Sequence, residues 1–402
     1  MSRGGVQGFQ KDRLSQILAG RRLTQVQLAS MVDVSPATIS KWRAGTQAPE
    51  CDALERLAGV VNVTPEWFTR VPGAKLSLPL FRSNASAHVA ARAMLGARLE
   101  WAQDVAAALM EYVDYPDVNL PSRDYTEPEE ITDEDIETVA CECRDLWRLG
   151  RSTIQDLALA VEGAGVIVVR EETGIAQIEG LSAWSAVLGR PLILLSADKN
   201  NGYRSRFDLA HEVGHLVLHR HIQRTTDNAR HKLMEAQAHR FAGAFLLPAE
   251  TFAIEVRMPP TLDDLLILKR RWGVSAAAMI MRLKAIELLD DDGASILHKR
   301  RSARWGGKSE PGDEDRSPEQ PRLLRRTIDL LVEEKVMPLE AIPRHIGLAA
   351  CDVEALAGLP EGYFQGKTNV VDFARLKATQ KPVDYQPAQG DKVVPFRPVS
   401  KS

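Results

Sequence analysis

The chain has 402 residues, 44% hydrophobic and 26% charged, ordinary proportions for a folded globular protein and too long for one core, so two or three domains are expected. A net charge of -3 excludes a protein that coats nucleic acid along its whole length. No run approaches 18 apolar residues and MSRGGVQGFQ holds no apolar signal segment, so a cytoplasmic protein that neither spans nor contacts a membrane is expected, with its four cysteines reduced.

Positive charge is in excess at the start. Between Met1 and Gly45 seven basic residues stand against two acidic ones, a local charge of +5, the footprint of a DNA-contacting module. Within it, Thr24 to Gly45 reads as two short helices and a tight turn. Thr24 can cap the first; Ser35 can cap the second, with Pro36 at its first helical position, and Asp33 suits the left-handed turn between them. Leu28, Met31, Val34, Ile39 and Trp42 form the expected seam, with small Ala29 where the helices cross. From Phe9 to Phe68 this resembles the XRE (lambda-repressor-like) helix-turn-helix. The resemblance implies that the second helix enters the major groove of an operator in double-stranded DNA. Pro36, Ala37, Thr38 and Lys41 then aim at bases, and Gln25, Ser35, Ser40 and Arg43 lie nearer the phosphates. So few bidentate readers suggest modest specificity from one copy, which a homodimer would raise.

Further along, Ser86 to Tyr112 reads as a helical connector and Asp114 to Pro128 as a loop. Glu129 to Gly150 and Thr153 to Gly163 are helical. The period then changes: Val166 to Val169, Gln177 to Ser185 and Leu192 to Leu195 read as three strands of a small sheet. Helices return from Arg204 through His219, from Lys232 to Leu247, where Leu247-Pro248 supplies a stop, and twice between Leu262 and Leu289. Asp291 to Pro321 is a polar linker by composition. Arg322 to Tyr363 is helical again, and the remainder reads as a loose tail.

The helix from Arg204 to His219 carries His211-Glu212-Val213-Gly214-His215. Residues four apart share a helix face, so His211 and His215 can hold one zinc ion. Glu212 is placed to take a proton from an attacking water and pass it to a leaving amine. A catalytic zinc needs a third protein ligand and an open position. Glu235 ranks first, because Ala238, Phe241, Ala242 and Phe245 would turn it toward the first helix. His239 is the rival ligand, and His219 a third choice better suited to supporting a ligand without touching the ion, or to packing. His221 and His231 are expected in solvent, and Tyr203 and His231 are weak candidates for polarising a carbonyl.

Those residues carry a second resemblance. The segments RSRFDLAHEVGHLVLH, EAQAHRFAGAFLLP, IEGLSAWS, RPLILLS and WGVSAAAMIMRL are similar to the ImmA/IrrE family of zinc metallopeptidases. This implies His211, His215 and Glu235 as zinc ligands and Glu212 as general acid/base. It also implies a partner transcriptional repressor as substrate, cleaved in a stress or mobile-element response. The family commonly has Asn where this chain has His239. The expected fold is thus α+β and multidomain: an all-α lambda-repressor-like domain, then a mostly helical zincin-like domain with a small three-stranded sheet. The expected organisation is 9–72 DNA-binding domain, 73–113 connector, 114–290 metallopeptidase domain, 291–321 linker, 322–363 C-terminal helical unit and 364–402 disordered tail. Two functions compete: a DNA-binding regulator with an active zinc endopeptidase, or a regulator whose peptidase-like domain senses a ligand or metal without cleavage.

Overall fold

The computed structural model describes residues 5–73, 76, 86–174, 178–223, 227–307 and 309–365. Gln177, the expected start of the second strand, and the expected tail from Gly366 on lie outside the described residues. Among them, sixteen α-helices surround one three-stranded sheet.

Four helices build the head: α1 (Lys11–Gly20), α2 (Gln25–Val32), α3 (Pro36–Ala44) and α4 (Cys51–Val61). The caps are those the sequence called for. Thr24 and Gln27 form a reciprocal capping box on α2, and Ser35 accepts from the Thr38 amide with Pro36 opening α3. Asp33 ends α2 at φ 59, in the left-handed region. One seam residue is wrong. Met31 is 49% exposed, and Val32 is buried in its place, because Leu28 and Val32 are four apart and share the inward face.

Next, α5 (Ser86–Met110) is longer than a spacer needs to be, and Leu99, Trp101, Ala102, Val105 and Ala106 are fully buried along it. After a loop come α6 (Asp133–Leu146) and α7 (Leu157–Gly163). Both begin later than the apolar pattern alone suggests, because Thr132 and Asp156 are the residues that cap them.

The sheet comprises β1 (Ile167–Glu171), β2 (Gly180–Ser185) and β3 (Arg190–Ser196), ordered β1-β3-β2. β1 runs parallel to β3, with Ile167 opposite Leu192, and β2 runs antiparallel to β3, with Gly180 opposite Leu195. Alternation along the strands divides the interior. Val168, Ile193 and Leu195 join a core made by α6, α7 and the helices that follow the sheet. Ile167, Val169, Leu181, Ala183, Leu192 and Leu194 face the other way, into a core shared with the head, α5 and the last helices. The sheet is therefore a wall between two cores, which explains its near-continuous apolar runs.

Beyond it lie α8 (Gly202–Leu218), α9 (Asn228–Leu246), α10 (Ala249–Glu255), α11 (Leu262–Trp272) and α12 (Ala276–Ala285). The short α10 was not expected from the sequence.

Composition misleads from 291 to 321. Asp291–Trp305 is a helix, α13, with Ala294 and Leu297 buried on α12's side of the core. The rest is a strap held by acids. Glu310 is buried and accepts from the Ala276 and Ala277 amides at the start of α12, within reach of buried Lys269. Glu319 accepts from the Leu157 and Ala158 amides at the start of α7 and pairs with buried Arg206. The strap also crosses the start of α8, where Gly202 donates to the Arg316 carbonyl at 2.9 Å. A Cβ on Gly202 would lie 2.5 Å from the Ser317 carbonyl oxygen, so only glycine fits. The segment is polar because it pairs with buried charge.

Finally, α14 (Leu323–Glu333), α15 (Ala341–Ile346) and α16 (Ala350–Ala357) pack into the core shared with the head rather than forming a separate unit. A buried ionic group ties them in. Arg98 on α5 donates to Glu171 on β1 and to Asp352 on α16, and Asp352 also accepts from Arg21 beyond α1. The described residues up to Phe364 accordingly belong to one compact unit.

Candidate functional site

Asn201 caps α8 and Asp227 caps α9. The two helices pack closely because position 214 is glycine: a Cβ there would stand 3.0 Å from the Phe241 ring. Ala238, Phe241, Ala242 and Phe245 are all buried on the facing side of α9, which turns Glu235 toward α8 as its neighbours suggested.

The carboxylate of Glu235 lies 3.4 Å from His211 Nε2 through one oxygen and 3.4 Å from His215 Nε2 through the other. The two Nε2 atoms are 3.0 Å apart. Zinc bonds of about 2.0–2.1 Å at tetrahedral angles separate donor atoms by about 3.3 Å. The three groups are therefore close enough to converge on one ion, with the carboxylate reaching each imidazole through a different oxygen. His211, Glu235 and His239 also offer ligand atoms within 4.8 Å of one another. His239 is exposed, its ring centroid is 4.4 Å from that of His211, and its Nδ1 donates to the Glu235 carbonyl at 2.8 Å, leaving Nε2 with a lone pair. It stays the rival.

Electrostatics suit a cation. Burial works to raise the Glu235 carboxyl, but the two imidazoles outweigh it and hold the group far below the usual carboxylate range. Burial pulls His211 down, and Glu235, Glu212 and Asp208 more than reverse that, so its pKa is raised. Asp208, one turn earlier on α8, is pushed up to about 7 by burial and then by Glu179.

Glu212 is 5% exposed, beneath β2. A Cβ on Gly180 would lie 2.9 Å from its Oε1 and 3.0 Å from its Cγ. The carboxylate thus occupies the space a side chain on β2 would take. Sequence reasoning passed over Gly180, although a lone glycine inside a strand pattern signals a close approach.

The other histidines divide. His221 is exposed as expected. His231 is not in solvent: it is 8% exposed, with Nδ1 3.9 Å from a Glu235 oxygen, because it sits one turn before Glu235 on the same face. His219 is buried between His215 and Gln237, and burial, then His215, lowers its pKa to about 3. Tyr203 lies two turns before His211 on α8 and is buried, with Lys269 Nζ 4.6 Å from its ring centroid.

In the head, Ser35, Pro36, Ala37, Ser40, Lys41 and Arg43 are exposed along α3, Thr38 is partly so, and Gln25 opens α2. Ile39 and Trp42 are buried on the reverse face. Lys41 and Arg43 form the only basic residues of α3.

Residues 14–68 match the family described as helix-turn-helix, and residues 161–284 match the IrrE N-terminal-like domain. No curated protein matches the chain. Among the described residues no helix is long and apolar enough to cross a membrane. The second match spans the sheet, both histidine-bearing helices and α11–α12, and stops before the strap. The chain is a fusion of an XRE-type helix-turn-helix DNA-binding domain with an IrrE N-terminal-like, metallopeptidase-type domain.

Proposed function

We propose that this protein is a DNA-binding regulator carrying an active zinc endopeptidase, with His211, His215 and Glu235 as metal ligands and Glu212 as general acid/base. Its substrate on this reading is a repressor-type partner protein, cleaved in a stress or mobile-element response, and the working form is a homodimer in the cytoplasm. One observation carries the enzymatic part: two imidazole nitrogens and a carboxylate stand at 3.0–3.4 Å from one another, with Glu212 adjoining His211 on α8.

The ion, when bound, supplies Lewis acidity that makes water nucleophilic near neutral pH and polarises a carbonyl. Glu212 takes a proton from the attacking water on a carboxylate oxygen and returns it to the leaving amine. Gly180 leaves room for that carboxylate. The edge strand β2 runs past it, paired among the described residues with β3 alone, and such an edge suits an extended polypeptide.

Glu212→Gln tests the reading. Zinc-loaded wild type should cut the partner whose level controls the regulated promoter, while the variant binds zinc and leaves the partner whole. Regulation in cells should then fail. Unchanged regulation with Glu212→Gln would overturn the peptidase reading and leave a non-proteolytic sensor of ligand or metal.

A further inference from the structure

We infer that Gln237 and His219 form a hydrogen-bond relay that fixes the tautomer of His215, leaving its Nε2 as the ligand atom. The inference rests on the metal-site reading above and assigns positioning roles to two residues outside the ligand set.

The relay begins at groups whose role is beyond choice. Gln237 is 4% exposed on α9. Its Nε2 lies 2.7 Å from the Pro128 carbonyl oxygen and 3.3 Å from that of Ile131. Carbonyl oxygens only accept, so the Gln237 amide nitrogen must face them and its Oε1 must point the other way. That Oε1 is 3.1 Å from His219 Nε2. An amide oxygen accepts as well, so His219 Nε2 carries a proton. A neutral imidazole has one donor and one acceptor. His219 Nδ1 is then an acceptor.

His219 Nδ1 lies 2.9 Å from His215 Nδ1, so the proton between them belongs to His215. With Nδ1 protonated, His215 keeps its lone pair on Nε2. That atom faces His211 Nε2 at 3.0 Å and Glu235 at 3.4 Å. Every donor in the series is set by the one before it, starting from two backbone carbonyls ahead of α6. His211 differs: its Nδ1 is buried with no hydrogen-bond partner among the described residues. Among the described residues, His215 alone of the two imidazoles has its tautomer set by a hydrogen-bond partner.

An outer partner of this kind orients a ligating histidine and raises its basicity, and losing one costs about 10- to 100-fold in metal affinity. His219 and Gln237 therefore belong to the site although neither touches the ion.

The test uses the full chain and two readouts. Histidine nitrogen NMR on the metal-free protein should show His215 protonated at Nδ1 and His219 at Nε2. Zinc affinity, from competition with a chelator, should fall about 10- to 100-fold in His219→Phe, which keeps the ring but removes the acceptor. His219→Gln restores an acceptor and should recover part of the loss. Wild-type His215 protonated at Nε2 would overturn the relay outright, whatever the variants do. So would His219→Phe with unchanged zinc affinity and an unchanged His215 tautomer. If wild type binds no zinc while His215 shows the expected tautomer, the metal-site reading falls and the relay stands as a hydrogen-bonding feature alone. If His219→Phe does not fold, the wild-type spectrum still decides.

Discussion

Glu319, from the middle of a segment whose composition reads as linker, closes an ion pair on Arg206, five residues before His211 on α8. Arg206 is 2% exposed and also donates to the Ile154 carbonyl at 2.7 Å. The strap thus completes the domain that the family match leaves at residue 284.

Removing one partner of a buried pair strands the other charge, at a cost of about 3–5 kcal/mol. Glu319→Ala should cost at least about 3 kcal/mol, because the Leu157 and Ala158 amides at the start of α7 lose their acceptor along with Arg206. Arg206→Met combined with Glu319→Met should cost far less than the two single changes added together. Urea unfolding of the four proteins checks this; additive single effects would deny the pairing.

The ligand set makes a second prediction. Glu235→Ala should remove bound zinc from the purified protein, measured as metal content, whereas His239→Ala should retain it. Zinc lost from His239→Ala and kept by Glu235→Ala would exchange their roles.

Gly180 gives a sharper test of the site. Gly180→Ala places a methyl 2.9–3.2 Å from three atoms of the Glu212 side chain. Peptidase turnover should fall at least about tenfold, equivalent to about 1.4 kcal/mol in the barrier. Zinc content should stay near one per chain, since no ligand is displaced. Full turnover with alanine at this position would mean that Glu212 does not need its present place.

Stability should depend on pH through Glu162. This carboxylate is buried and accepts from the Arg322 and Leu323 amides at the start of α14. Burial raises its pKa to about 7 from an ordinary 4.5, against the pull of those amides. A raised acid binds more protons folded than unfolded between these values. Its contribution is therefore complete below pH 4.5 and is lost as pH rises through 7. Glu162→Gln carries no such proton, so its Tm should fall less across that interval than that of wild type. Parallel profiles would place the titration elsewhere.

For the head, Arg43→Ala should weaken binding about equally on all DNA sequences and lower the salt slope by about one. Thr38→Ala or Lys41→Ala should instead cost about 1–3 kcal/mol on the best operator and relax preference at one base pair. Fluorescence anisotropy on operator and random duplexes separates the two patterns.

Much of this was legible before folding because it is periodic or local. The four-residue step from His211 to His215 is a property of any α-helix. Thr24, Ser35 and Asp33 act within three or four residues of themselves, and short β-branched or apolar runs mark the strands. What required the tertiary structure joins residues far apart in the chain. Composition counts Glu310 and Glu319 as polar and cannot see that Lys269 and Arg206 are buried waiting for them. Nor does it reveal that Gly180 lies against Glu212, that His231 turns inward, or that Gln237 takes its orientation from Pro128 and Ile131. A helix repeats every 3.6 residues and writes its faces into the sequence. Which faces meet is settled by packing and by the pairing of buried charge, and those have no period to read.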